Sequence, residues 1–101
     1  MYARSPLESI RLFHDELTAL RRDLHAHPEL GFEEVRTSGI VAGALEALGI
    51  EVHRGIGKTG VVGVLKGNRG DGKTIGLRAD MDALPMEEHT NLGYASKIPN
   101  R

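Results

Sequence analysis

The hydrophobic pattern of this chain changes from a helical to an extended period at Gly49, and this change constrains the fold most. Before Gly49, apolar residues recur at steps of three and four, as they do on one face of an α-helix. After it, short apolar runs alternate with glycine-rich segments, which is typical of strands and turns. The sequence therefore predicts an α/β fold with two N-terminal helices packed on a small sheet.

The first predicted helix runs from about Ser5 to His25. Ser5 suits an N-cap, Pro6 the first helical position, and Glu8 the capping-box position three residues on. The proline at position 28 disfavours helical backbone in the residue before it. We therefore expect this helix to end by His27.

The second predicted helix runs from Phe32 or Glu33 to Leu48. Glu33 and Glu34 would lie in its first turn, where acidic side chains interact favourably with the helix dipole. Gly49 follows the last apolar residue, where a left-handed C-terminal cap is expected.

Three strands are predicted after the helices, a short one over 50–53 and longer ones over 60–66 and 73–79. Residues 67–72 (GNRGDG) have the composition of a turn, so we expect strands 60–66 and 73–79 to pair as an antiparallel hairpin. Both carry apolar residues on both faces, which predicts a sheet covered on both sides. The polar, proline-interrupted run after position 80 is long for a loop, so it is expected to serve a site or belong to something larger.

Asp80 and Asp82 are the most informative candidate site residues. At the end of an extended strand, their spacing would point both carboxylates to one face, about 6–7 Å apart. Such a pair could bind a cation or orient a metal-bound imidazole. From spacing alone, however, a turn-forming role for the two aspartates is favoured. His25 and His27 diverge on a helix, so a role in ending the helix is favoured over metal binding.

Composition excludes several classes of protein. Thirteen Lys and Arg residues against 14 Asp and Glu give a net charge of −1, so nucleic-acid binding is not expected. No apolar run approaches the roughly 20 residues of a membrane-spanning helix, and no secretory signal is evident at the N-terminus. The absence of cysteine removes disulfides and thiol nucleophiles. We therefore expect a cytoplasmic protein, and association as a homo-oligomer would supplement its small core.

The segment GIGKTG (55–60) lacks the pattern of a phosphate-binding loop.

Three motifs together resemble the N-terminal part of the hippurate hydrolase-like amidohydrolases. They are LRRDLHAHPELGFEE (20–34), TGVVGVLKG (59–67) and LRADMDALPMEE (77–88). This family belongs to the aminoacylase and carboxypeptidase superfamily and includes the indole-acetyl-amino-acid hydrolases. The resemblance implies that the two helices pack on a small mixed sheet, and that residues 1–101 are the first portion of a larger, zinc-peptidase-like catalytic domain, without the lid domain.

The resemblance also implies a chemistry. Family members use two divalent ions (Zn, Mn, Co or Ni) to cleave the amide bond of an N-acyl amino acid or short peptide, and their metal ligands would lie beyond Arg101. Asp82 matches the family acid that orients a metal-binding histidine. Asp80 occupies the position where other superfamily members have that histidine. We therefore expect Asp82, and more weakly Asp80, to support catalysis in the complete enzyme.

Three hypotheses remain at this stage. The first is an N-terminal fragment of such an amidohydrolase, inactive alone and binding no metal. The second is a non-catalytic module that dimerises or binds a partner through an exposed sheet edge. The third, a self-sufficient metal protein using His25, His27, Asp80 and Asp82, is disfavoured by the helical placement of the histidines.

Overall fold

The computed structural model describes residues 5–70 and 72–101, and the predicted α/β class is confirmed. Its elements are α1 (Pro6–Arg11), α2 (His14–Ala26), α3 (Val35–Ala47), β1 (Glu51–Ile56) and β2 (Gly60–Val64). The described residues form two compact units. One consists of residues 5–28 with 86–101, and the other of Glu29–Pro85.

The N-terminal helical region contains two helices where one was predicted, because the helix is interrupted at Leu12 and Phe13. Phe13 has φ −106° and ψ 9°, outside the helical region, and no side chain caps α2 there. A one- or two-turn helix without a packed apolar face is marginal. Leu7 and Ile10 of α1 are both more than half exposed, so little packing holds α1 in line with α2.

The predicted ends of this region are confirmed. The Ser5 hydroxyl accepts a hydrogen bond from the Glu8 backbone N–H at 3.2 Å, and Pro6 is the first residue of α1. At the other end, α2 stops at Ala26 with His27 as its cap residue. The helix therefore ends before His27, the residue in which Pro28 disfavours helical backbone, as expected.

Helix α3 begins later than predicted. Phe32 has φ +67°, a left-handed conformation that cannot start an α-helix, and Glu33 and Glu34 precede the first helical residue. The predicted acidic first turn is therefore wrong. The predicted cap is confirmed, because Gly49 has φ +76° directly after the helix end.

β1 and β2 pair with each other as an antiparallel hairpin. The predicted pairing of β2 with residues 73–79 is wrong. Val52 lies opposite Gly63, and the register shifts at Gly55, whose φ of +73° forms a bulge before the turn. Residues 57–59 thus connect the strands, so β2 finds a partner only three residues away. Residues 73–79 form no regular element.

Helix α3 packs on one face of this hairpin. A Cβ on Gly63 would lie 3.2 Å from the Leu45 side chain of α3, so this face of β2 is in close contact with the helix. Val62 and Val64 alternate to the opposite face and are 43% and 40% exposed. Within residues 5–70 and 72–101 the sheet is therefore covered on one side only, so the predicted second covered face is not formed by the described residues.

No helix among residues 5–70 and 72–101 is long and apolar enough to cross a membrane.

Candidate functional site

The two predicted site aspartates lie in an irregular segment, because the strand expected before them does not form. The Asp80 carboxylate forms an exposed ion pair with the Arg78 guanidinium at 2.7 Å. Asp82 lies beside the turn that follows α2, since a Cβ on Gly31 would be 3.8 Å from Asp82 Oδ2. The two carboxylates therefore have different neighbours, one a cation and the other a glycine backbone.

The turn beside Asp82 is organised by Glu29. Its carboxylate accepts hydrogen bonds from the backbone N–H groups of Arg36 at 2.9 Å and Thr37 at 2.6 Å. These N–H groups belong to the first turn of α3, where no intrahelical acceptor exists. The backbone carbonyl of Glu29 accepts a hydrogen bond from the Ala83 N–H at 2.8 Å. Glu29 thus connects the start of α3 to the residue after Asp82.

The pKa of Glu29 is lowered from its ordinary value of 4.5. Partial burial acts to raise it, but hydrogen bonds from the Thr37 hydroxyl and from the Thr37 and Arg36 N–H groups outweigh burial. The positive charge of Arg36 acts in the same direction. The carboxylate is therefore the form that the α3 terminus binds.

A second acidic side chain joins α3 to the hairpin turn. Glu34 is buried, and its carboxylate accepts a hydrogen bond from the Thr59 hydroxyl at 3.0 Å. Next to it, the Lys58 ammonium lies 5.1 Å from the centroid of the Phe32 ring, and both residues have positive φ. These contacts hold the 31–34 turn against the connection between β1 and β2.

In the other unit, Glu88 is the centre of a hydrogen-bond cluster. Its carboxylate accepts from the Ser96 backbone N–H at 2.8 Å and from the Thr90 hydroxyl, and it lies 2.8 Å from His25 Nε2. Hydrogen bonds from Thr90 and Ser96, and the neighbouring His25, lower the pKa of Glu88 from 4.5. This cluster therefore stabilises the fold above about pH 4.5, and the stabilisation is lost as the pH falls through the lowered value.

The same segment makes further contacts with α2. The Tyr94 ring packs edge-on against His25 with centroids 5.7 Å apart, and the Arg22 guanidinium lies 4.6 Å from the Tyr94 centroid. The Lys97 N–H donates to the carbonyl of Ala26, the last residue of α2. Residues 86–101 are thus held on the C-terminal end of α2. A shallow cavity of about 230 Å³ within this segment is lined by Glu87, Glu88, Ser96, Lys97, Ile98, Pro99 and Arg101.

The described residues do not fit a metal centre by themselves. Among residues 5–70 and 72–101, no three His, Asp or Glu side chains are grouped so that they could bind an ion. Three of the four residues of the self-sufficient metal hypothesis have other partners. His25 pairs with Glu88, His27 Nδ1 is 2.9 Å from the Asp23 carbonyl oxygen, and Asp80 pairs with Arg78. The roles predicted for Asp80 and Asp82 remain predictions.

Sequence reasoning missed the two glutamates that organise these regions. Glu29 caps a helix that begins six residues later, and Glu88 meets a histidine 63 residues away. Neither contact follows a local spacing rule such as the capping box. The available signal was the presence of both residues within the motifs 20–34 and 77–88.

Known proteins resemble this chain closely over part of their length, although no family model matches it. It is 56% identical over 85 residues to a hippurate hydrolase of Campylobacter jejuni, covering 84% of this chain and 22% of that protein. It is 48% identical over 90 residues to thermostable carboxypeptidase 1 of Saccharolobus solfataricus, covering 88% and 23%. A crystal structure of a dinuclear metal-binding peptidase of the M20 family from Bacillus subtilis matches with a TM-score of 0.81 and 48% identity, covering 89% of this chain and 25% of that one.

These comparisons confirm the resemblance predicted from the three motifs. The chain spans about a quarter of the length of the relatives that it matches.

Proposed function

We propose that this chain belongs to the M20 family of dinuclear metal-binding peptidases, one of which it matches at 48% identity, and that it forms the first portion of a catalytic domain that hydrolyses the amide bond of N-acyl amino acids or short peptides. The observation that carries this proposal is the 56% identity to a hippurate hydrolase, which favours a hippurate-like substrate. When bound, a pair of divalent ions (Zn, Mn, Co or Ni) would polarise the carbonyl group and make water a better nucleophile by lowering its pKa. The described residues do not form that centre alone, so the chain's own contribution lies in Asp82 and its supports.

Asp82 is the residue of this chain that we assign closest to the chemistry. Its carboxylate would orient a metal-binding imidazole, a task that needs a fixed backbone and a free acceptor oxygen. The Ala83 N–H bond to Glu29 supports the first requirement, and the exposure of Asp82 supports the second. Asp80 has a weaker role, because its carboxylate already pairs with Arg78.

The exposed apolar residues support the proposal that this is part of a larger domain. Leu65, Ile75 and Leu77 are 78%, 84% and 96% exposed, although their sequence has the character of buried strands. Exposed side chains with the character of buried strands are expected to pack against another part of the protein. We assign that part to the remainder of the catalytic domain.

Intact mass and hydrolysis together test this proposal. The protein purified from its native source is weighed by mass spectrometry, and release of glycine from hippurate is measured with added Mn²⁺ or Zn²⁺. A mass several times 11.0 kDa with metal-dependent turnover supports the proposal. A protein of that larger mass that binds metal but cleaves no N-acyl amino acid or short peptide contradicts it. The 101-residue chain alone is expected to show no turnover.

Substitution of the aspartates tests the residue assignments in the active protein. Asp82→Asn should lower activity or metal affinity about 10- to 100-fold, as is usual when the partner of a metal-binding histidine is lost. Asp80→Asn should have a smaller effect. Equal, negligible effects of both substitutions would contradict the assignment of Asp82.

The second candidate is a non-catalytic module that dimerises or binds a partner through the hairpin edge. It is favoured by the same exposed residues and by the unpaired outer edge of β2 in the described sheet. Sedimentation of the purified chain distinguishes the two, because a concentration-dependent mass would support self-association. Homo-oligomerisation of the complete protein, the cytoplasmic location, and the lack of nucleic-acid and membrane partners stay predictions.

A further inference from the structure

Glu29 makes hydrogen bonds through both of its ends, and the two ends reach different parts of the unit 29–85. The carboxylate binds the N–H groups of Arg36 and Thr37 at the start of α3, at 2.9 Å and 2.6 Å. The backbone carbonyl binds the Ala83 N–H at 2.8 Å. A single residue therefore links the helix terminus to the segment that carries Asp82.

The helix end of this link is well anchored. Helix α3 packs on both strands, and Thr37 is 4% exposed. The carboxylate can bind the α3 N–H groups in few orientations, because two oxygens accept from two adjacent donors. The Glu29 backbone is therefore held in place relative to the hairpin and α3.

The Asp82 end of the link has no such framework of its own. Residues 80–85 form no helix or strand, and Asp82 is exposed. The hydrogen bond at Ala83 fixes the backbone directly after Asp82, and Gly31 leaves the Asp82 carboxylate beside the same turn. The position of Asp82 then depends on where the Glu29 carbonyl points.

We propose that Glu29 is a positioning residue for Asp82. Its carboxylate is held by the start of α3, and its backbone carbonyl in turn holds the N–H group of Ala83, the residue after Asp82. The importance of this for catalysis rests on the role proposed for Asp82 above. The link itself concerns only residues of this chain and can be measured without metal or substrate.

Amide hydrogen exchange of the 101-residue chain, followed by NMR, tests the link. In the unchanged chain, the Ala83 amide should be protected well above the level of an open loop. Glu29→Gln places an amide donor opposite one of the two α3 N–H groups and leaves one neutral acceptor, so at least one of the Arg36 and Thr37 amides should lose protection. If Glu29 positions Asp82, protection at Ala83 should fall with them, by about tenfold or more, with the hairpin amides unchanged.

Glu33→Gln is the matched control, because Glu33 is exposed in the same turn and loses the same charge. It should leave Ala83 unchanged. Glu29→Asp keeps the charge but shortens the side chain, and it should retain more protection at Ala83 than Glu29→Gln. This second variant decides the question if Glu29→Gln unfolds the hairpin as well.

Loss of protection at Arg36 and Thr37 with Ala83 unaffected would overturn the proposal, because Glu29 would then be a helix cap and nothing more. Open-loop exchange of Ala83 in the unchanged chain would also overturn it. The outcome of the hydrolysis assay does not depend on these exchange measurements, which need neither metal nor substrate. The positioning of Asp82 and the proposed enzyme activity can therefore be contradicted separately.

Discussion

Strand β2 and residues 73–79 are both predicted strands, but they have different structures. Both are short and contain strand-forming residues, GVVGV in β2 and KTIGLRA in the later segment. β2 pairs with β1 through a three-residue connection and packs on α3. Residues 73–79 pair with neither described strand, and Ile75 and Leu77 are 84% and 96% exposed. The comparison shows that strand propensity acts only where a partner strand and a packed face are available.

The largest effect is expected from a change that breaks the favoured hairpin. In Gly60→Ala, the new Cβ would overlap the backbone carbonyl of Ile56, which cannot move without disturbing the turn. The free energy of unfolding should fall by about 2–3 kcal/mol, measured by urea denaturation. Gly76→Ala is the control in the unpaired segment, because nothing lies within 4 Å of its Cβ. Equal stability of the two variants would show that the hairpin does not determine the fold.

Removing the polar contact that supports the hairpin turn should have the next largest effect. Thr59→Val keeps the side-chain shape but removes the hydroxyl that donates to the buried Glu34 carboxylate. An unpaired buried acceptor costs about 1–3 kcal/mol, and thermal unfolding should report the loss. Thr74→Val, in the exposed segment, is expected to change little. A neutral Thr59→Val would mean that Glu34 is satisfied by solvent.

Acid should lower the free energy of unfolding by protonating Glu29, whose carboxylate binds the start of α3. Its lowered pKa means that the unfolded chain binds a proton more readily, so this contribution is present above pH 4.5 and decreases as the pH falls through the lowered value. The cap should contribute about 1 kcal/mol at pH 7. The stability difference between the unchanged chain and Glu29→Gln should therefore shrink below pH 4.5. A difference that stays constant down to pH 2.5 would contradict the cap.

The smallest effect on the chain's own stability is expected in the unpaired segment. Replacing Ile75 and Leu77 with threonine alters side chains that are 84% and 96% exposed. The free energy of unfolding should change by less than about 0.5 kcal/mol. In the complete enzyme, the same double substitution should be severely destabilising if this segment packs inside the catalytic domain. Small effects in both proteins would argue against that placement.

Local sequence patterns predicted several helix ends but not the interruption between α1 and α2. Ser5, Pro6 and Pro28 act through their own backbone geometry, and Gly49 adopts the left-handed conformation that its position requires. The interruption at Phe13 was not predicted, because neither proline nor glycine marks it. What decides continuity there is the packing of an apolar face, which a periodic pattern does not reveal.

The candidate site divides in the same way. Asp80 and Asp82 were found from the sequence because their spacing and motif are local. Glu29 and Glu88 were missed because their partners follow no local spacing rule. The α3 N–H groups and Ser96 lie seven or eight residues away, and Ala83 and His25 are distant along the chain. Hydrogen bonds between distant residues depend on how the chain returns on itself, and no spacing rule encodes that.

The sequence by itself determined the α/β class, the start of α1, the ends of α2 and α3, and the resemblance to the amidohydrolases and metal-binding peptidases. These follow from properties of single residues and short motifs. Only the tertiary structure decided that β2 pairs with β1, and which N–H and hydroxyl groups donate to Glu29 and Glu88. The physical reason is that pairing and burial compete among all segments, and β1 prevails over 73–79 because it can reach β2 through a short turn and share α3 as a packing surface.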